Sequence, residues 1–231
     1  MKYFTPKLES ATKFDFQTNF SEKLGGFPFG LPIEMYPICK ECRNPMIFLA
    51  QFLHHKDRLD LGKEGRILFV FVCDYEGEGE NYYNPCESWD ADSGANVCFV
   101  IEPETFTGKT LATSDLKIPT VKETFIGGWA EFNDEITEDE SKFFFDTEKY
   151  DELDFSQFVE LLDKTTENTR LGGVPYWIQY PETPKGSWKF IGQLNSDNGL
   201  EFGDVGIGYI FIDVSENSEQ LPKGKFLWQC S

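Results

Sequence analysis

Met46-Ile47-Phe48-Leu49-Ala50-Gln51-Phe52 and Trp188-Lys189-Phe190-Ile191-Gly192-Gln193-Leu194 align without a gap at an offset of 142 residues. Phe meets Phe, Leu meets Ile, Ala meets Gly and Gln meets Gln. A second echo lies upstream, where Leu24-Gly25-Gly26-Phe27-Pro28 matches Leu171-Gly172-Gly173-Val174-Pro175 at an offset of 147. Downstream, carrying the 142 offset forward sets Leu68-Phe69-Val70 on Ile210-Phe211-Ile212 and Val72 on Val214. The order Gly-Gly-x-Pro, strand, Gln, strand therefore occurs twice, which is the mark of an internal duplication.

Both copies read as β structure. Arg66–Asp74 and Gly208–Val214 are rich in β-branched and aromatic residues and are bounded by turn-forming residues, and Ala95–Glu102 forms a further strand closed by Pro103. Along Gly206–Val214, Ile207, Tyr209 and Phe211 point one way and Ile210, Ile212 and Val214 the other, so the strand expects cover on both faces. Between the copies, Glu131–Asp163 holds 13 acidic residues against Lys142 and Lys149. Within that stretch Phe155, Phe158, Val159 and Leu162 recur at helical spacing behind Asp154 as a cap, predicting an amphipathic helix with this stripe on the core. The fold class expected is β-rich α+β: duplicated β units forming stacked or extended antiparallel sheets with few helices. The chain reads as a single domain, 1–231, with a first repeat at about 24–103, an acidic connector with a helix at about 104–170 and a second repeat at about 171–231.

The whole chain of 231 residues has 21 Lys+Arg against 40 Asp+Glu, a net charge of −19, with 40% hydrophobic residues and 23 Phe. That is enough apolar material for a core, and too negative a surface for direct binding of nucleic acid or anionic lipid. Met1–Phe20 carries charges throughout, and no run approaches the length of a membrane span, so a cytoplasmic protein is expected. Partners of the opposite sign, basic proteins, are favoured by electrostatic steering.

Six cysteines are too few for a small disulfide scaffold. Cys39 and Cys42 form a Cys-x2-Cys turn between Pro37 and Pro45, a spacing that lets two thiolates face one tetrahedral ion. Cys73 and Cys86 are the remaining candidates for a structural zinc site, with Cys230 as a substitute for either later ligand. Ordinary loop thiols and a redox dithiol are the alternatives, although the flanking prolines disfavour the helix that a thioredoxin-like dithiol needs. Cys98, in a strand, is expected to be buried. His54 and His55 are the only histidines; neighbours along a strand point to opposite faces, so a surface role is expected. No nucleophile elbow or phosphate loop is present, and Gly203-Asp204-Val205-Gly206 reads as a turn feeding a strand.

Taken together, Leu24-Gly25-Gly26-x-Pro28, the Cys39/Cys42 pair before Met46–Gln51, Gly172-Gly173-x-Pro175, the Gln193 strand, Gly203-Asp204-x-Gly206 before Tyr209, and Leu227-Trp228-Gln229-Cys230 resemble the bacterial YwqG-like domain of unknown function. The cysteine-bearing half is more distantly similar to the eukaryotic programmed-cell-death-2 and Tsr-type proteins. The resemblance implies a duplicated β-rich fold, often with metal-ligand cysteines in one half, and no established enzymatic activity. It further implies chaperone-like holding of a ribosomal protein, or a place beside secreted toxins. Pro181 and Pro184 stand where the offset would put Cys39 and Cys42, so one metal site is expected.

The function expected is a non-enzymatic, protein-binding module, chaperone-like or of the immunity type, that takes a basic protein partner and carries a structural zinc ion on Cys39, Cys42, Cys73 and Cys86. The alternative is a hydrolase using carboxylates, Asp204 with another acid, in a groove between the repeat halves. Neutralising Glu138, Asp139 and Glu140 together is expected to slow partner binding and leave the melting temperature nearly unchanged.

Overall fold

The computed structural model describes residues 1–10, 19–74, 86–111, 120–213 and 220–231. Val214 and most of the Gly- and Asn-rich loop before Cys86 lie outside the described residues, as does part of the acidic connector.

Ten described strands form one antiparallel sheet: β1 (Lys2–Ser10), β2 (Lys23–Leu24), β3 (Ile47–Leu53), β4 (Ile67–Val72), β5 (Asn96–Ile101), β6 (Thr124–Asn133), β7 (Arg170–Gly172), β8 (Trp188–Asn195), β9 (Gly206–Asp213) and β10 (Gly224–Cys230). Their spatial order is β10-β9-β8-β7-β1-β6-β2-β3-β4-β5. Phe99 of β5 bridges to Lys223, just before β10, so the two edges meet and the sheet nearly closes on itself. The fold is β-rich with few helices, and the units extend one another within a single curved sheet.

The two halves repeat bond for bond. Leu24 pairs with Ala50 and Leu171 with Gly192, and a register shift follows at the same place in each β3–β4 and β8–β9 pair, at Phe48/Ala50 and Phe190/Gly192. Gln51 is fully buried; its Oε1 accepts the Phe29 N–H at 2.9 Å and its Nε2 donates to the Ser21 carbonyl at 2.7 Å. Gln193 is equally buried, accepting the Tyr176 N–H at 2.9 Å and donating to the carbonyls of Thr166 and Asn168 at 3.0 and 3.2 Å. Ser21 and Asn168, like Phe29 and Tyr176, are 147 residues apart, the offset of the Gly-Gly echo. Lys23 and Arg170 also correspond, both with no exposed surface. Burial lowers the affinity of the Lys23 amine for its proton, and a 2.7 Å ion pair with Glu123 opposes that. Burial likewise brings Arg170 down to about 10, while its guanidinium lies over the Tyr3 ring and donates to the Val174 carbonyl.

One alignment is corrected. Ala50 pairs with Val70 and Gly192 with Ile210, so β4 and β9 correspond at an offset of 140, with Leu68 on Gly208 and Val70 on Ile210. Side chains alternate with a period of two, so an even slip keeps apolar residues on apolar residues and is invisible to pattern matching.

The short strands β2 and β7 end where they do because of glycine. Gly25 and Gly26 take φ of 63° and 70°, and Gly172 and Gly173 take 80° and 71°, left-handed values that L side chains avoid. A Cβ on Gly25 would sit 2.2 Å from the Lys122 carbonyl oxygen. The chain therefore leaves the sheet abruptly and crosses over to deliver Phe29 and Tyr176 to their glutamines.

The inner face of the curved sheet carries a shared core of Leu49, Phe52, Leu68, Val70, Ile191, Ile210, Ile212 and Phe226, drawn from both halves. Two outer cores cover the convex side. Phe48, Phe69 and Phe71 lie in that of the first half, and Phe190, Tyr209 and Phe211 in that of the second. Burial of both strand faces follows.

The connector contributes the central strand β6 as well as helices α1 (Glu138–Ser141), α2 (Thr147–Tyr150) and α3 (Phe155–Asp163). Asp154 caps α3 through the Gln157 N–H at 2.9 Å, and the Gln157 side chain returns the bond. The expected stripe is rotated. Leu161 is buried, and with Phe158 and Leu162 it faces Phe144 and Trp177. Phe155 is 82% exposed and Val159 is exposed too. The period is helical, but Leu161 rather than Val159 takes the inward phase. Nor are the acids of α1 interchangeable. Glu140 closes a capping box with Thr137 and pairs with Lys164 at 2.6 Å, contacts that hold its carboxyl down to about 2. Neutralising Glu140 therefore removes a fold contact, contrary to the expectation that the triple change leaves stability alone.

Candidate metal centre

The Cys39/Cys42 turn is a knuckle built by the backbone. Ile38 and Pro45 bridge its base, the Cys39 N–H donates to the Asn44 carbonyl at 2.9 Å, and the Arg43 N–H donates back to Cys39 at 3.1 Å. Arg43 takes φ of 66° to close it. Cys73 follows directly on β4, its N–H held by the Ala95 carbonyl at 2.7 Å. Cys86 opens the segment leading into β5, where the Asn96 side chain ties down the carbonyls of Ser88 and Asp90 at 2.9 and 2.8 Å. The Glu41 carboxylate accepts the Glu87 N–H, and the Lys40 N–H donates to Gly94, so this segment is laced to the knuckle.

These three elements bring the sulfurs of Cys39, Cys42, Cys73 and Cys86 within 4.8 Å of one another. Cys39 and Cys86 are 3.7 Å apart, and Cys42 and Cys73 are 3.5 Å apart. A disulfide would need ~2.05 Å, and none of the six cysteines forms one. A tetrahedral ion with Zn–S bonds of ~2.3 Å separates its sulfurs by ~3.8 Å. The Cys39–Cys86 and Cys42–Cys73 separations lie near that spacing, and the four thiols could together hold a metal ion.

Cys39, Cys73 and Cys86 are buried and Cys42 is half-buried. Burial pushes the Cys86 thiol up to about 12, with the Cys42 and Cys39 sulfurs acting in the same direction and Cys73 against it. Burial acts on Cys42 in the same direction but is outweighed by the Asn44 backbone and side-chain N–H groups and by the Cys73 and Cys39 thiols, which bring it down to about 7. Cys42 is therefore readier than Cys86 to meet a cation as a thiolate, and binding must displace the Cys86 proton.

The cluster sits at the edge of the first half's outer core, against Tyr36, Met46 and Phe71. In the second half, Trp177, Phe144 and Leu161 join the corresponding core. Helices thus help to close one half where the four cysteines close the other.

The remaining candidates lie elsewhere. Cys98 is in the inner core, where burial raises its thiol. Cys230 ends β10 beside Gly203, outside the cluster, and is not the fourth member. His54 is buried rather than on the surface, accepting the Leu61 N–H at 2.9 Å, while His55 is exposed. Asp204 lies on an exposed turn. The Asp134 side chain is buried, its carboxylate held by the N-terminal amine and the Ile136 N–H, and the inner face between the halves is filled by the shared apolar core. No described helix is long and apolar enough to cross a membrane.

Sequence reading missed the aromatic surface where α2 and α3 meet Tyr180. Phe155 and Phe158 were visible in the helical stripe, but Tyr180 lies outside α3 in sequence and only the fold brings it to them. No curated protein matches the chain. A family model described as Domain of unknown function (DUF1963) matches residues 22–230, nearly the whole chain, and the protein belongs to that family.

Proposed function

We propose that this protein is a non-enzymatic binding module that captures a basic protein, in the manner of a chaperone or an immunity protein, and that a structural zinc ion staples its first half. The convergence of four cysteine sulfurs within 4.8 Å of one another carries the zinc part of this reading. When bound, the ion would supply cross-linking alone, since four thiolates leave no position open for water or substrate. The capture part is supported by the 13 acids of Glu131–Asp163, six of which lie on the capped helices α1, α2 and α3. It also agrees with the resemblance to the YwqG-like and programmed-cell-death-2 proteins.

Exposed charges act over roughly a Debye length, ~8 Å at physiological salt, so their influence falls mainly on association rate. Glu138, Glu148 and Glu152 are exposed and form no ion pair among the described residues. Changing all three to Gln is expected to slow association with the partner that co-purifies from the native host by about threefold or more at low salt, with a flatter salt dependence. Stopped-flow binding reads the rate. An unchanged rate at low salt would mean that these acids only solvate the surface.

A further inference from the structure

The acidic face has a feature that its charge alone does not require. Tyr150, Asp151, Asp154, Phe155, Phe158 and Tyr180 line an open groove of about 310 Å³ where α2, α3 and the Tyr180 segment meet. That volume is at the small end for ligand sites and suits one side chain better than a cofactor. Its rings are fixed: Tyr150 meets Tyr180 edge-on at 5.0 Å and Phe158 at 5.4 Å. Phe155 and Tyr180 nevertheless remain 82% and 54% exposed. The Tyr180 hydroxyl donates to one oxygen of Asp151 at 2.7 Å and orients that carboxylate. Asp154 uses one oxygen on the Gln157 N–H. Lys142 pairs with Asp139 and Lys164 with Glu140, and neither Asp151 nor Asp154 has an ion-pair partner among the described residues.

Aromatic faces attract cations, and an adjacent carboxylate completes the match. A planar guanidinium satisfies both at once, stacking on a ring while its N–H fork meets the carboxylate; an ammonium is a compact, strongly hydrated charge that leaves water less readily. We infer that this groove receives an arginine side chain presented by an exposed segment of a basic protein. This rests on the reading of the acidic face as a capture surface, and adds to it the position and chemistry of the anchor.

Fluorescein-labelled octa-arginine and octa-lysine peptides, followed by anisotropy at ~0.15 M salt, separate anchor from field. Octa-arginine is expected to bind at least about threefold more tightly than octa-lysine. Phe155→Ala, which removes an exposed ring, and Asp151→Asn should each weaken octa-arginine about fivefold and octa-lysine less. The triple Gln variant at Glu138, Glu148 and Glu152 should weaken both peptides alike. Thermal unfolding of each variant checks that the fold is kept. Equal binding of octa-arginine by wild type and both groove variants, with an effect of the triple variant, would overturn the groove and leave the capture reading standing. No binding of either peptide even at low salt would overturn both. Self-association in sedimentation velocity, abolished by Phe155→Ala, would assign the groove to a second copy of this chain and also overturn the inference.

Discussion

Cys39→Ser is expected to abolish stoichiometric zinc binding and to lower unfolding stability by about 4 kcal/mol or more, the scale on which loss of a structural metal stands apart from ordinary substitutions. Cys39 has no exposed surface and sits between the knuckle and the outer core of the first half. A serine hydroxyl stays protonated where the thiol would ionise, so three sulfurs remain around an ion they cannot hold. No helix like α3 substitutes for it, because the helical cover lies on the second half. Cys230→Ser, outside the cluster, should retain full zinc and near-native stability. Urea unfolding with metal analysis reads both outcomes; equal stability of Cys39→Ser and wild type would show that the cysteines staple nothing. Because binding displaces protons from thiols, zinc retention should fall as pH falls.

The second large effect concerns the duplicated glutamines. Gln51→Ala strips the buried Phe29 N–H of its acceptor and removes the donor to Ser21, and each loss is worth about 1–3 kcal/mol, so a fall of about 3 kcal/mol is expected. Gln193→Ala should behave alike through Tyr176, Thr166 and Asn168. The two amides serve different halves, so their effects should add in the double variant. A fall below about 1 kcal/mol in the urea midpoint analysis would mean that these amides do not hold the crossovers.

The glutamines also explain what was legible in the sequence. A buried amide needs a fixed set of partners, so Gln51 and Gln193 and the glycines that bring their partners to them stand out as a repeat. The Cys-x2-Cys pair was readable because its geometry is local. Cys73 and Cys86 were harder, because the segment between them is long and only the β4–β5 pairing brings them back to the knuckle. The central strands were the least visible. Pro6 and the lysines of β1 are poor strand residues, yet β7 pairs only with Tyr3 and Phe4, so the missing Pro6 N–H lies beyond its reach. Gly127 and Gly128 disguise β6 in the same way, with a register shift against β1 between Lys7 and Leu8. The phase of α3 was misread because Val159 and Leu161 are equally apolar, and only Trp177 and Phe144, brought in by the second half, decide which one turns inward.

Zinc K-edge X-ray absorption of the purified, unchelated protein tests the four-cysteine centre most directly. A single shell of four sulfurs at about 2.3 Å, with about one zinc per chain, is the predicted result. A shell containing nitrogen or oxygen ligands, or zinc below about a tenth of an equivalent, would contradict the assignment of Cys39, Cys42, Cys73 and Cys86 as a closed structural site.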